Sequence, residues 1–155
     1  MRANEYAADL LLPEMFFRSD ARDKEITFET VAELSSRYCC STTAVAIRLV
    51  QLGSFPCMVV CSRRGQRWKW FKRSDDIPRE IWPADEPGED TLAYELLRGT
   101  RERQGLADVP ASAWLRDDAV EERFVVREDS IRLTDDLVLS LIWWLDESML
   151  MVDEG

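Results

Sequence analysis

The run Leu137-Val-Leu-Ser-Leu-Ile-Trp-Trp-Leu145 is the most hydrophobic stretch of the chain and carries no charge. It is far shorter than the roughly 20 apolar residues needed to span a bilayer. The turn residues Thr134-Asp-Asp136 precede it. A short apolar run bounded by a turn fits a central strand buried on both faces, although period alone does not separate it from a helix. The preceding stretch from Glu121 to Leu133 contains Phe124-Val-Val126 and returns to alternation at Ser130-Ile-Arg-Leu133, so it reads as the strand that pairs with it.

A second hairpin is expected between Pro56 and Arg73. Cys57-Met-Val-Val-Cys61 is a short strand of the buried type, Arg64-Gly65 supplies the turn, and Gln66 to Lys72 returns. Strict alternation places Trp68 and Trp70 on one face and Arg67, Lys69 and Phe71 on the other. Between the hairpins, Ser74 to Asp90 reads as a loop with Ile81 and Trp82 tucked in. Thr91 to Arg98 has helical character, Gly99 to Asp108 a polar linker's, and Pro110 to Leu115 reads as a short helix anchored by Trp114.

The first third is helical. Ala3 to Pro13 carries Tyr6, Leu10 and the Ala3–Ala7 pair at helical spacing, and Pro13 ends it. Glu14 to Phe17 is expected to add a short turn, and Arg18 to Lys24 an exposed connector. Thr27 is a strong N-cap, with Ile26 and Val31 at the staple positions. Cys39-Cys40 breaks the helix, Ser41 caps a second one, and Gly53 stops it. The pair resembles a helix-turn-helix.

The string Ala-Asn-Glu-Tyr-Ala-Ala-Asp-Leu-Leu-Leu-Pro over residues 3–13 resembles the signature of the ImmA/IrrE family of zinc metallopeptidases. Asn4, Tyr6, Ala7, Leu11 and Pro13 stand at its scaffold positions. The likeness continues through Ala32, Leu34, Ser41, Ala44, Arg48 and Leu49, and loosely through Glu128, Ser130 and Leu139 to Leu141. In that family a His-Glu-x-x-His helix and a Glu lie upstream of the matched region and supply the zinc ligands. The resemblance therefore implies descent from a peptidase that cuts transcriptional regulators, with no matched position bearing a ligand.

The chain contains no histidine, which removes the commonest metal ligand and general base, and with them any His-Glu-x-x-His or Ser-His-Asp site within these residues. No Cys-x-x-Cys pair occurs among Cys39, Cys40, Cys57 and Cys61, so reduced thiols are expected. No cofactor is expected, zinc entering only with an upstream segment. Residues 1–73 hold 12 basic and 8 acidic side chains, and residues 74–155 hold 8 and 22, within a net charge of −10. So acidic a second half disfavours wholesale nucleic-acid binding. The acidic pairs in turns read as solvated surface.

The expectation is an α+β fold: N-terminal helices over 1–53, then a β-rich part over 54–155 with an antiparallel sheet of about four strands, together one compact unit. The favoured function is a truncated, non-catalytic binding or regulatory module in the cytoplasm. The alternatives are an active zinc endopeptidase with an earlier start, and a small DNA-binding regulator. Thr42, Thr43, Arg48, Arg64, Arg67 and Lys69 are the candidate nucleic-acid contacts, with a structural role for the helix pair preferred. Tyr6 and Leu10 mark a face that a protein partner or a second copy of the chain would cover. No membrane association is expected.

Overall fold

The computed structural model describes residues 14–99, 106–116 and 124–144. The signature helix over 3–13, with Asn4, Tyr6, Ala7, Leu10, Leu11 and Pro13, lies outside them, as do the acidic pairs at 117–118 and 121–122 and the tail from 146. Among the described residues the fold is α+β, as expected. Strands β1 (Cys57–Arg63), β2 (Gln66–Arg73), β3 (Ala107–Pro110), β4 (Val125–Arg132) and β5 (Leu137–Trp143) form one sheet in the order β2-β1-β5-β4-β3. Every neighbouring pair is antiparallel. The apolar run is the middle strand, and Val138 to Trp143 are buried. The sheet has five strands rather than about four. The extra one, β3, lies partly in the stretch read as linker: four residues with a single buried apolar side chain, Val109, give no period to detect.

Among the described residues three helices cover one face of the sheet: α1 (Glu14–Ala21), α2 (Phe28–Tyr38) and α3 (Thr42–Leu52). The Thr27 hydroxyl accepts the Thr30 N–H at 3.2 Å, and Ile26 and Val31 are buried beside it. Cys39 closes α2 in the left-handed conformation, φ 55°. The Ser41 hydroxyl then accepts the Ala44 N–H at 3.1 Å and starts α3. At the end of α3 the Gly53 N–H bonds to the Leu49 carbonyl at 2.8 Å. A Cβ on Gly53 would stand 2.5 Å from that oxygen, so only glycine fits. These helices bury Phe17, Val31, Leu34, Val45, Leu49 and Val50 against Cys57, Val59, Cys61, Leu139, Leu141 and Trp143. Helical and β-rich parts thus share one core.

Helix α1 is longer than the sequence suggests. Residues 18–21, read as connector, continue it. Phe17 and Ala21, one turn apart, are both fully buried, and Arg18 bonds Glu14 at 2.7 Å across the outer face. Of the apolar residues at its start, Phe17 goes inward while Met15 and Phe16 remain exposed.

The other face is built from shorter pieces. Helix α4 (Leu92–Leu97), a 3-10 turn (Ala111–Ala113) and the loop through Ile77 and Ile81 pack on Met58, Val60, Val126, Val138 and Ile142, with Trp114 and Leu115 among them. The 3-10 turn stands where a short helix was expected, and Trp114 is its buried anchor. The β1–β2 turn is Arg64-Gly65, with Gly65 at φ +67°, a conformation that favours glycine.

The two tryptophans of β2 do not share a face. Trp70 pairs with Cys61, but Gln66 pairs with Arg63, so β2 carries extra residues opposite Ser62. Across this bulge the alternation is interrupted. Trp70 packs on the helical core, while Trp68 packs on the other side, 4.8 Å from the Phe71 ring centroid. The Trp68 N–H leaves the sheet and bonds to the Asp85 carbonyl at 2.9 Å.

Candidate functional site

Strand β4 places side chains alternately on the two faces, and at its centre this alternation separates two neighbouring acids. Glu128 points toward α4 and is fully buried. One carboxylate oxygen accepts the Leu92 N–H at 2.9 Å, the other the Ala93 N–H at 2.8 Å and the Ser130 hydroxyl at 2.5 Å. Ser140, directly opposite Ser130, lies 2.6 Å from that hydroxyl. Ser130 has one proton to give, and with it directed to Glu128, Ser140 donates to Ser130. Three donors aimed at one side chain suit an ionised carboxylate at a helix N-terminus. Burial pushes the Glu128 pKa up, and the Ser130, Leu92 and Ala93 donors pull it back. The Trp114 indole N–H also favours the charge without reaching hydrogen-bond geometry.

Asp129 faces the helical layer and is equally sequestered. It accepts the Phe28 N–H, at the first turn of α2, at 2.7 Å. The opposite end of α4 receives cations. Arg132, on the same face of β4 as Glu128, donates to the Leu96 carbonyl at 2.7 Å. Arg64, from the β1–β2 turn, donates to the Leu97 carbonyl at 2.6 Å and the Asp135 carbonyl at 3.0 Å. A six-residue helix is thus held by an acid at its positive end and by arginines at its negative end. A buried acid with a shifted pKa is a common mark of a catalytic site. Here Glu128 accepts backbone donors on both oxygens and Asp129 on one, and neither lines the grooves that follow.

Two grooves flank the β1–β2 turn and share Arg63 and Arg64. One, of about 420 Å³, runs to α4 and is also lined by Glu86, Pro87, Tyr94, Leu97 and Arg98. The other, of about 390 Å³, is lined in addition by Gln66, Lys69, Thr134, Asp136 and Leu137. The Arg98 guanidinium lies 5.1 Å from the Tyr94 ring centroid and donates to its hydroxyl at 2.5 Å.

The candidate nucleic-acid residues fall in two separate places. Arg64 and Lys69 line the grooves, and Arg67 is beside them, 3.6 Å from Asp85 and stacked on Trp68 at 4.3 Å. Thr42, Thr43 and Arg48 lie on α3, which is sandwiched in the helical layer. Of its residues only Gln51 is exposed, and Arg48 donates to Gln51 at 3.4 Å. Sequence reasoning did not single out Glu86, Tyr94 and Arg98 for the groove, because α4 and its C-cap bring Tyr94 and Arg98 there, and the loop before it brings Glu86, from stretches with no charge pattern of their own.

No group of three or more His, Cys, Asp or Glu side chains among the described residues is placed to hold a metal ion. Cys57 and Cys61 point from one face of β1 into the helical core, and burial pushes both thiols up, away from the thiolate that binds zinc. Cys39 is exposed and Cys40 half-buried at the α2–α3 break, and all four thiols are free. The donor set therefore does not fit the zinc of a peptidase. No described helix is long and apolar enough to cross a membrane. No protein-family model matches the chain, and no curated protein matches it.

Proposed function

We propose that this chain is a non-catalytic binding or regulatory module of ImmA/IrrE-like descent, acting through contact with another protein or a second copy of itself. The observation that carries this reading is the use made of Glu128 and Asp129. Both are fully sequestered, and both accept from backbone N–H groups at helix N-termini, Glu128 through its two oxygens and Asp129 through one. The exposed cationic groups gather instead at the β1–β2 turn, where they are available to a partner. The descent rests on the residue string over 3–13. The test is to dialyse purified protein against zinc, measure metal by elemental analysis and assay peptide hydrolysis. Well under one zinc per chain and no hydrolysis are expected. Tight one-to-one zinc that is lost on mutating Cys57 and Cys61 would sink the reading.

A second reading retains peptidase activity. The same signature string favours it, because in the family that string follows a zinc-binding helix. Translating the genomic sequence upstream of Met1 in frame decides it: a His-Glu-x-x-His segment there supports an active zinc endopeptidase. DNA recognition through α3 finds less support, since a reading helix presents polar and basic side chains to the groove, and α3 spends most of its surface on the core.

A further inference from the structure

We propose that the groove between the β1–β2 turn and α4 is a docking site for an acidic protein segment that also carries apolar side chains. The inference rests on the binding-module reading and names the chemistry of its partner.

Three guanidinium groups, those of Arg63, Arg64 and Arg98, stand around the groove, whose floor includes the buried Leu97 and Pro87. Arginine presents a planar fork of donors that matches carboxylates. The three are positioned rather than loose. Arg64 is anchored to the Leu97 and Asp135 carbonyls, Arg63 donates to the Arg67 carbonyl at 3.2 Å, and Arg98 leans on Tyr94. Anchored cations lose less freedom on binding than mobile ones do. A volume of about 420 Å³ is within the usual range for ligand pockets, roughly 300–1,000 Å³, and accepts one or two side chains at a time. An apolar floor beneath a cationic rim selects an apolar side chain flanked by acids.

Charge complementarity favours a short acidic segment over a nucleic acid. The chain as a whole carries −10, so a long polyanion meets net repulsion beyond the local basic cluster. Among the described residues lining the groove Tyr94 is the one aromatic ring, and Arg98 already stacks on it, so the groove offers no run of free rings on which successive bases would stack. Among the described residues lining the groove Glu86 is the one acid, and it opposes an anionic guest.

The experiment uses fluorescence polarisation with the full chain. The probes are a short labelled peptide alternating Glu and Leu, its counterpart alternating Gln and Leu, and a single-stranded oligo(dT) of equal length. The Glu/Leu peptide is expected to bind saturably and the Gln/Leu peptide about tenfold more weakly. The double variant Arg63→Glu/Arg98→Glu is expected to lose about tenfold for the Glu/Leu peptide, and Glu86→Gln to gain about twofold. Arg18→Glu on α1, distant from the groove, is expected to change little. Circular dichroism and a thermal midpoint verify folding, and Arg98→Gln replaces the double variant if the latter unfolds. Binding that ignores the groove variants, no saturable peptide binding, or tighter binding of oligo(dT) than of the peptide overturns the proposal. Zinc-dependent cleavage of the peptide would sink the module reading while leaving the groove mapping intact.

Discussion

The two faces of the sheet solve the same packing problem by different means. Among the described residues the helical face uses three helices of eight to eleven residues, α2 and α3 capped by their own flanking side chains, and is filled mainly with aliphatic residues. Among the described residues the opposite face has a six-residue helix, a 3-10 turn and a long loop. Pieces that short bury little and have marginal stability alone. They are held by specific charged anchors: Glu128 and Arg132 on the two ends of α4, and Arg73, whose guanidinium donates to the Pro78, Arg79 and Ile81 carbonyls. Where apolar area is scarce, backbone groups left over from short elements are satisfied by charged side chains, Glu128 buried and the arginines nearer the surface. A layer of that kind depends on few residues, whereas the helical layer spreads its stability over many.

Substitutions measure that contrast. Glu128→Ala is expected to have the largest effect, roughly 3–4 kcal/mol in urea unfolding, because two buried amides and the Ser130 hydroxyl lose their acceptor at once. An effect under 1 kcal/mol would mean that water replaces the carboxylate and the anchor is dispensable. Leu49→Ala in the helical core is expected to cost about 3 kcal/mol as a cavity. It should lower the thermal midpoint without detaching α4, which hydrogen exchange at the Leu92 and Ala93 amides would follow.

Glu128→Gln sharpens the comparison through pH. It keeps the shape but not all the acceptors, and is expected to cost about 1–2 kcal/mol. Because burial raises the folded pKa above the ordinary 4.5, the native state holds the proton more tightly than the unfolded chain does. The stability that this proton contributes is complete below the ordinary value and is lost as pH rises through the folded one, while the carboxylate keeps its donors. Subtracting the Gln variant's urea midpoints from the wild type's over mildly acidic pH should reveal that slope. A difference that grows with pH would reverse the sign.

Asp129→Asn is expected to cost about 1 kcal/mol, since the amide oxygen still accepts from Phe28. The smallest effect belongs to Tyr38→Phe. Tyr38 donates to Asp20 from α2 to α1, and burial together with that carboxylate raises its pKa to about 12 from 10. Its contribution is complete below pH 10 and fades toward pH 12, so the variant's alkaline unfolding should lack that slope. Identical alkaline profiles would show that the Tyr38–Asp20 contact contributes nothing.

Local physics was legible and distant partnership was not. Thr27, Ser41 and Gly53 announce their caps within three or four residues, Arg64-Gly65 its turn, and residues 137–143 their burial on both sides. The α1 extension was readable from the Phe17–Ala21 spacing but was masked by surrounding charge. Alternation places Trp68 and Trp70 together because it presumes an unbroken ladder, and the bulge that separates them comes with a bond from the Trp68 amide to Asp85, 17 residues away in sequence, which local pattern does not show. The roles of Glu128 and Asp129 depend on amides 36 and 101 residues away, so the string Glu-Asp-Ser showed only an acidic strand. The groove was half visible, as a basic hairpin. Its other wall arrives with the packing of α4.

The neighbouring acids of β4 have a consequence for how the chain finds its pairing. A strand slipped by one residue sends every side chain to the opposite face. Here the slip would put the shorter acid beneath α4 and the longer one beneath α2, each with the wrong reach for its amides. Ser130 would also leave its place opposite Ser140. Both helical layers would reject the same mistake together. Adjacent acids of unequal length thus act as a key with teeth on both edges, turning only in one alignment.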